Sequence, residues 1–203
     1  MRRVGIVLFE GFELLDVFGP VELLGTATDL FEIEYLGPAA GGLVRSSQGA
    51  QIAAQQGDAD ATTPDIVLVP GGMGTRGLVG DRAFLAWLRE FAAPAEIVSS
   101  VCTGSAVLAA AGLLEGYRAT SNKNAFAWAT THGDDVTWVP EARWVEDRNR
   151  WTSSGVAAGM DMTAALIRHL HGERVADDVA TLVELEVHMD SGWDPFARRH
   201  GLV

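Results

Sequence analysis

The sequence has one cysteine, Cys102. A lone cysteine excludes an internal disulfide and a cysteine-rich metal site, and it fits a reducing compartment. Basic residues are also scarce: 15 Lys and Arg stand against 27 Asp and Glu, a formal charge of −12. That sign opposes a general nucleic-acid or anionic-membrane surface, while leaving room for a small anionic substrate in a locally positive pocket. No stretch reaches the ~20 uninterrupted apolar residues of a membrane span. Met1-Arg2-Arg3 before Val4–Phe9 resembles the start of a signal peptide, but Glu10, Glu13 and Asp16 interrupt the apolar run too early. A cytoplasmic protein without membrane contact is expected. There is no G-x-G-x-x-G fingerprint and no P-loop lysine, so a nucleotide cofactor is not expected. No H-x-x-x-H pair or other ligand spacing suggests a metal. No DNA-binding region is apparent before Val203, and the net charge also opposes a regulator.

What is present describes an ordinary globular protein. Hydrophobic residues make up 48% and charged residues 21%, and 203 residues suffice for a substantial core. One α/β domain over 1–203 is expected. Val4–Phe9 and Asp65–Val69 are continuous apolar runs, as in the centre of a parallel sheet. Phe31–Leu36 alternates with Glu32 and Glu34, which places it nearer an edge. A helix is expected to begin near Asp16 or just after Pro20. Residues 43–57 read as a short hairpin. Asp81–Phe91 reads as an amphipathic helix with Phe84, Leu85, Leu88 and Phe91 on one side. Arg118–Ser121 and Val136–Val139 read as strands around a helix at Ala125–His132. Arg143–Val145 and Arg150–Thr152 read as two strands joined by an Asp147-Arg148-Asn149 turn. Helices follow at Val156–His171 and Glu173–His188, and the tail from Ser191 to Val203 shows no period and is expected to pack loosely or swing. The alternation predicts a doubly wound sandwich around a mostly parallel sheet.

The chemistry centres on Glu96–Glu115. Ile97–Val101 reads as a buried strand and Thr103–Leu114 as a helix, with Cys102 between them. Ser100 and Gly104 are small, as a sharp strand-to-helix turn requires. This is the logic of a nucleophile elbow with cysteine for serine. The helix N-terminus favours an anion there, hence thiolate over thiol. A lone cysteine in an apolar stretch is otherwise a small buried hydrophobe. In an open parallel sheet, sites form at the carboxyl ends of strands. Three ends stand out: Phe9–Asp16, Val69–Thr75 and Val101–Gly104. If they are neighbours, Asp16, the Gly71-Gly72 backbone and Cys102 converge. Cys102 is the candidate nucleophile. The Thr103 N–H, with one from Gly71 or Gly72, is the candidate oxyanion hole. Asp16 is the candidate proton partner, its pKa raised by withdrawal from water, although its position also suits a helix cap. Glu13 and Glu22 are the other nearby acids, and Glu13 is expected to face away from Asp16. His132, His169, His171, His188 and His200 all lie late, at helix ends or in the tail, and no catalytic histidine is expected.

Four segments carry a resemblance over nearly the whole chain. They are Val4–Phe9 with Leu14-Leu15-Asp16-Val17-Phe18-Gly19-Pro20, then Val69-Pro70-Gly71-Gly72-Met73-Gly74, then Ser100-Val101-Cys102-Thr103-Gly104-Ser105, and Gly155–Asp161. The chain resembles the PfpI-type, class I glutamine amidotransferase-like superfamily, in the branch that contains isonitrile hydratase. The resemblance implies a flavodoxin-like three-layer sandwich, a homodimer, and a cysteine nucleophile with an acidic partner, at Cys102 and Asp16. It places Gly72 and Thr103 around the reacting atom. It implies a cofactor-free, metal-free reaction on a small molecule: thiolate attack on an isonitrile carbon, then release of an N-substituted formamide by water.

Two departures bear on substrate. Thr103 stands where protease-like and amidotransferase members have histidine. Thr120-Ser121-Asn122-Lys123-Asn124 stands where the hydratases have Thr-Thr-His-Trp, which alters a pocket wall. The alternatives are a glyoxalase or deglycase acting on 1,2-dicarbonyls, and a non-catalytic sensor whose Cys102 is oxidised.

Overall fold

In the computed structural model, which describes residues 1–203, a seven-stranded sheet forms the middle layer. The strands are β1 (Arg2–Val7), β2 (Phe31–Gly37), β3 (Leu43–Arg45), β4 (Gln51–Ala53), β5 (Gln56–Gly57), β6 (Ile66–Val69), β7 (Ile97–Ser100), β8 (Arg118–Ala119), β9 (Thr137–Trp138), β10 (Trp144–Asp147) and β11 (Arg150–Ser153). The helices are α1 (Leu14–Thr26), α2 (Thr75–Leu78), α3 (Arg82–Ala92), α4 (Gly104–Ala110), α5 (Phe126–Ala129), α6 (Ala158–His171), α7 (Glu173–Leu182) and α8 (Pro195–Arg199). The sheet order is β10-β11-β7-β6-β1-β2-β5. Within this sheet every pairing is parallel except β10 with β11; β3 and β4 form a separate antiparallel pair, and β8 and β9 a separate parallel pair. The fold is the flavodoxin-like α/β arrangement expected from the alternation of strands and helices.

The apolar runs explain the centre. Val4, Ile6, Ile66, Val67, Leu68, Val69 and Val98 are all buried, because central parallel strands are covered on both faces. Each such side chain contributes roughly 1.5–3 kcal/mol on leaving water. The chain leaves β1 toward β2 on one side and later returns to β6 on the other. The carboxyl ends of β1 and β6 therefore flank a topological switch point, with β7 next in line.

Helix α1 runs straight through Gly19-Pro20, with Pro20 inside it, instead of starting after the proline. The expected cap is also elsewhere: Glu13 holds the N-cap position without a side-chain bond, and Gln48 Oε1 accepts from the Leu14 N–H at 3.1 Å. Pro20 removes one helical N–H, but the helix is held by packing against α6. A side chain at Gly19 would meet Met160 of α6 at 2.8 Å, so the glycine permits the close approach. Asp81 caps α3 by accepting from the Ala83 and Phe84 N–H groups, and Leu88 and Phe91 are buried as the amphipathic pattern requires.

Four expectations need correction. Helix α4 is shorter than Thr103–Leu114: it stops at Ala110, and Gly112 adopts φ 75° two residues later. Helix α5 covers only part of Ala125–His132. Helix α7 stops at Leu182 instead of reaching His188, with Glu184 at φ 52°. The tail does not pack loosely. Asp194 caps α8 by accepting from Phe196, its N–H reaches the Glu141 carbonyl at 2.7 Å, and Asp194 and Ala197 are buried. No helix is long and apolar enough to cross a membrane.

Candidate functional site

The three strand ends converge as expected. Cys102 follows β7, and its φ of 58° lies in the left-handed region that residues with a side chain rarely occupy. The turn is held by the Cys102 N–H donating to the Ser154 carbonyl (3.1 Å). The Ser105 and Ser121 hydroxyls donate to the Cys102 carbonyl, each at 3.1 Å. Gly104 lies against the Val69 and Pro70 carbonyls, where no side chain fits. The small residues around Cys102 are thus required by the crossing of β6 and the elbow.

Asp16 reaches this point from the first turn of α1. Its Oδ2 accepts the Gly71 N–H at 2.8 Å, while Oδ1 is buried without a partner. A side chain at Gly71 would lie 2.7 Å from the Thr103 nitrogen and 2.8 Å from both Asp16 Oδ2 and Cys102 Cβ. The glycine is a spacer one atom thick among three functional groups. Gly72 has φ 126° and is pressed against Gly11, Phe12 and Glu13, closing the loop after β6 onto the loop after β1.

The electrostatics follow from this burial. Loss of water raises the Asp16 carboxyl to about 7; the charge of Glu13 adds to the rise, and the Gly71 N–H opposes it. Burial, then the facing Asp16 charge, also push the Cys102 thiol up. The backbone N–H groups of Thr103 and Val156 and the Thr103 side chain favour thiolate but do not outweigh burial and the Asp16 charge. A resting thiolate, expected from the helix N-terminus alone, is therefore not the favoured state. Two negative charges cannot be accommodated together in this dry space, so the pair retains a proton near neutrality.

The oxyanion expectation also changes. The Gly71 N–H is committed to Asp16 and the Gly72 N–H to Thr103 Oγ1 at 3.1 Å. The Thr103 N–H is directed at the sulfur. Gly71, Gly72 and Thr103 are at the site, but these N–H groups orient the carboxylate, the hydroxyl and the sulfur. None is left free for a substrate oxygen.

A cavity of about 220 Å³ opens over the thiol. Glu13, Gly72, Met73, Arg76, Cys102, Thr103, Asn122, Asn124, Ala125 and Val156 line it. Glu13 was expected to face away; it lines the wall because it precedes the helix in extended conformation, outside the helical period. Glu22 is exposed on α1. No histidine lines this cavity. Asn122 and Asn124 belong to the stretch singled out as an altered wall. Arg76 and Val156 were missed. Arg76 carried a positional signal, since it follows the glycine loop at a strand's carboxyl end; Val156 carried none, because its φ of 42° is set by tertiary packing. A larger cavity of about 510 Å³ lies near Leu8, Leu36, Phe84 and Trp87, and no cysteine or histidine lines it. No group of three or more His, Cys, Asp and Glu side chains is placed to hold a metal ion.

Comparison with known proteins agrees with this fold. Residues 2–169 match the DJ-1/PfpI family. The chain is 36% identical over 189 residues to isonitrile hydratase from Pseudomonas putida, covering 91% of this chain and 77% of that one. It is 32% identical to the HTH-type transcriptional regulator GbdR of Pseudomonas aeruginosa, covering 89% of this chain but 50% of the regulator, so it spans about half of that relative. Among solved structures, a THiJ/PfpI family protein from Pseudomonas syringae superposes with TM-score 0.80 at 27% identity, over 99% of this chain and 84% of that one. Drosophila melanogaster DJ-1beta superposes with TM-score 0.77 at 21% identity, over 91% and 98%, which speaks to the fold. The chain belongs to the DJ-1/PfpI family.

Proposed function

We propose that the protein is a cofactor-free cysteine hydratase that converts a small isonitrile to an N-substituted formamide. The observation that carries this reading is the Cys102–Asp16 pair. A thiol in a strained turn faces a buried carboxyl raised to about 7, where it can take and return a proton at neutral pH. The similarity to isonitrile hydratase supports the substrate class.

The thiol adds across the terminal carbon of R–N≡C. The Sγ–C bond forms, and the thiol proton passes through Asp16 to that carbon, giving the thioimidate R–N=CH–S. Water then adds to the same carbon and the nitrogen takes a proton. The C–S bond breaks, the thiol recovers its proton through Asp16, and R–NH–CHO leaves. Gly71 holds Asp16 in place through its N–H, and Thr103 is held by Gly72. The cavity of about 220 Å³ lies below the ~300 Å³ at which drug-sized pockets begin, which suits a small substrate. In this reading residues 1–203 act as one domain, in the cytoplasm, as a homodimer, without nucleic acid or membrane.

The glyoxalase reading is separated by substrate. The sensor reading is disfavoured because oxidation follows thiolate character and exposure, and Cys102 is 7% exposed with its thiol pushed up. The test is isonitrile consumption by wild type, Cys102→Ala and Asp16→Asn, with methylglyoxal in parallel. Formamide production lost in both variants supports the assignment. Turnover of methylglyoxal alone would move the protein to the dicarbonyl branch.

A further inference from the structure

One cation lines the cavity and has no carboxylate within ion-pair distance. Arg76, on α2, forms no salt bridge, although Asp and Glu outnumber Lys and Arg by 27 to 15. Its one hydrogen bond is a long 3.4 Å contact from Nη1 to Thr75 Oγ1. What holds the guanidinium is Trp128 of α5, whose ring centroid lies 3.3 Å from Cζ. Stacking fixes the plane of the group and leaves its edge donors available. His132 also packs edge-on against this ring at 4.9 Å, with its Nε2 buried and unpartnered. Burial, and then the Arg76 charge, lower the pKa of that imidazole, so it brings no second cation at neutral pH. Glu13 shares the cavity but is engaged by Gln48, accepting from its Nε2 at 2.6 Å, and makes no ion pair with Arg76. Cys102, Arg76 and the amide residues Asn122 and Asn124 therefore share one small cavity.

We infer that Arg76 is a substrate-specificity residue, and that the site takes small electrophiles bearing a carboxylate. A planar, pre-oriented guanidinium matches a carboxylate through paired N–H donors. This inference rests on the hydratase reading for the reacting group, here an isocyano carboxylate, but not for the anion contact. Substrate binding would place the carboxylate on Arg76 and the isonitrile carbon at Cys102 Sγ. The hydration then proceeds as above, with no additional reactant.

Two readouts keep the inferences apart. The first is calorimetric binding of N-formylglycine, the expected product of isocyanoacetate, and of its ethyl ester. It uses Cys102→Ala and the double variant Cys102→Ala/Arg76→Met, where methionine can still pack on Trp128. The acid is expected to bind more tightly than the ester, and Arg76→Met to cut that preference by about 10–100-fold, as loss of a hydrogen bond to a charged group does. The second is turnover of isocyanoacetate and ethyl isocyanoacetate by wild type and Arg76→Met. Arg76→Met is expected to raise KM for the acid far more than for the ester, with a smaller change in kcat. Acid and ester binding alike, or an acid preference that survives Arg76→Met, would overturn the inference. Acid binding that depends on Arg76 without turnover of either isonitrile would sustain the anion site and sink the hydratase reading.

Discussion

Two buried aspartates on neighbouring helices have opposite surroundings. Asp16 of α1 and Asp161 of α6 are 0% and 4% exposed, and the two helices pack together where Gly19 meets Met160. Asp161 is fully partnered. Both Nε (2.7 Å) and Nη2 of Arg143 reach its Oδ2, and the His188 N–H donates to Oδ1 at 2.8 Å. Asp16 has one backbone N–H, one orphan oxygen, a thiol opposite it and no cation. The Asp161 cluster ties the segment after α7 and Arg143, the residue before β10, to α6. The Asp16 pair is left short of partners, and that shortage raises its pKa toward neutrality. The same residue type at the same depth is a brace in one place and, in the proposed mechanism, a proton carrier in the other, because partners decide whether a buried charge is satisfied.

The comparison breaks if substitutions at the two clusters do the same thing. The largest effect is expected from Cys102→Ala, which should abolish isonitrile turnover. Asp16→Asn should lower kcat/KM by about 10²–10⁴-fold, the usual worth of a positioned acid–base group. Melting curves should show both proteins folded. Arg143→Met should do the reverse. Leaving the Asp161 charge buried and unpaired should cost about 3–5 kcal/mol in urea unfolding, with kcat little changed in the protein that remains folded.

Gly71→Ala sharpens the comparison from the backbone side. A methyl group 2.8 Å from Asp16 Oδ2 and Cys102 Cβ must displace one of them. About 10²-fold in kcat is expected, since misplacements near 1 Å are enough for that. Steady-state kinetics beside a thermal melt would expose the alternative, a loss of stability with activity intact.

The remaining effect is a pH-dependent gain. Burial holds the folded Asp16 carboxyl at about 7 against its ordinary 3.8, so between these values the folded state binds a proton that the unfolded state has lost. Its contribution is most favourable at acid pH and is lost as pH rises through about 7. Asn carries no such penalty. Asp16→Asn should be more stable than wild type by up to about 4 kcal/mol at pH 8, and this gain should vanish toward pH 4. Urea midpoints across that range would check it, and a constant difference would contradict the raised pKa. Turnover should show the complementary trend, with wild-type kcat/KM falling below pH about 7 as the base becomes protonated.

Much of the fold was legible because it depends on local pattern. Val4–Phe9, Asp65–Val69 and Ile97–Val101 read as central strands from their β-branched apolar runs, and they occupy adjacent places in the sheet. Helix lengths were less legible. Ala and Leu after Cys102 favour helix through Leu114, yet α4 ends early, where the chain turns through Gly112 and the Ala111 carbonyl accepts from Arg89 Nε at 2.6 Å. The tail has no period of its own, and its anchors, Glu141 and the burial of Asp194, come from elsewhere in the chain.

The sequence by itself determined the α/β alternation, the small-residue turn around Cys102, and three strand ends as candidate places for chemistry. These rest on side-chain size and hydrophobic period, which act within a few residues. Only the tertiary structure decided which groups titrate and which donors are free. The Gly71 N–H that might have bound substrate lies 55 positions from the Asp16 that takes it. The dryness that raises Asp16 is made by strands and helices remote from it in the chain. Arg76 has its orientation from Trp128 rather than from a neighbour in sequence. Desolvation and hydrogen-bond partnership are properties of surroundings, and the surroundings exist only once the chain has closed.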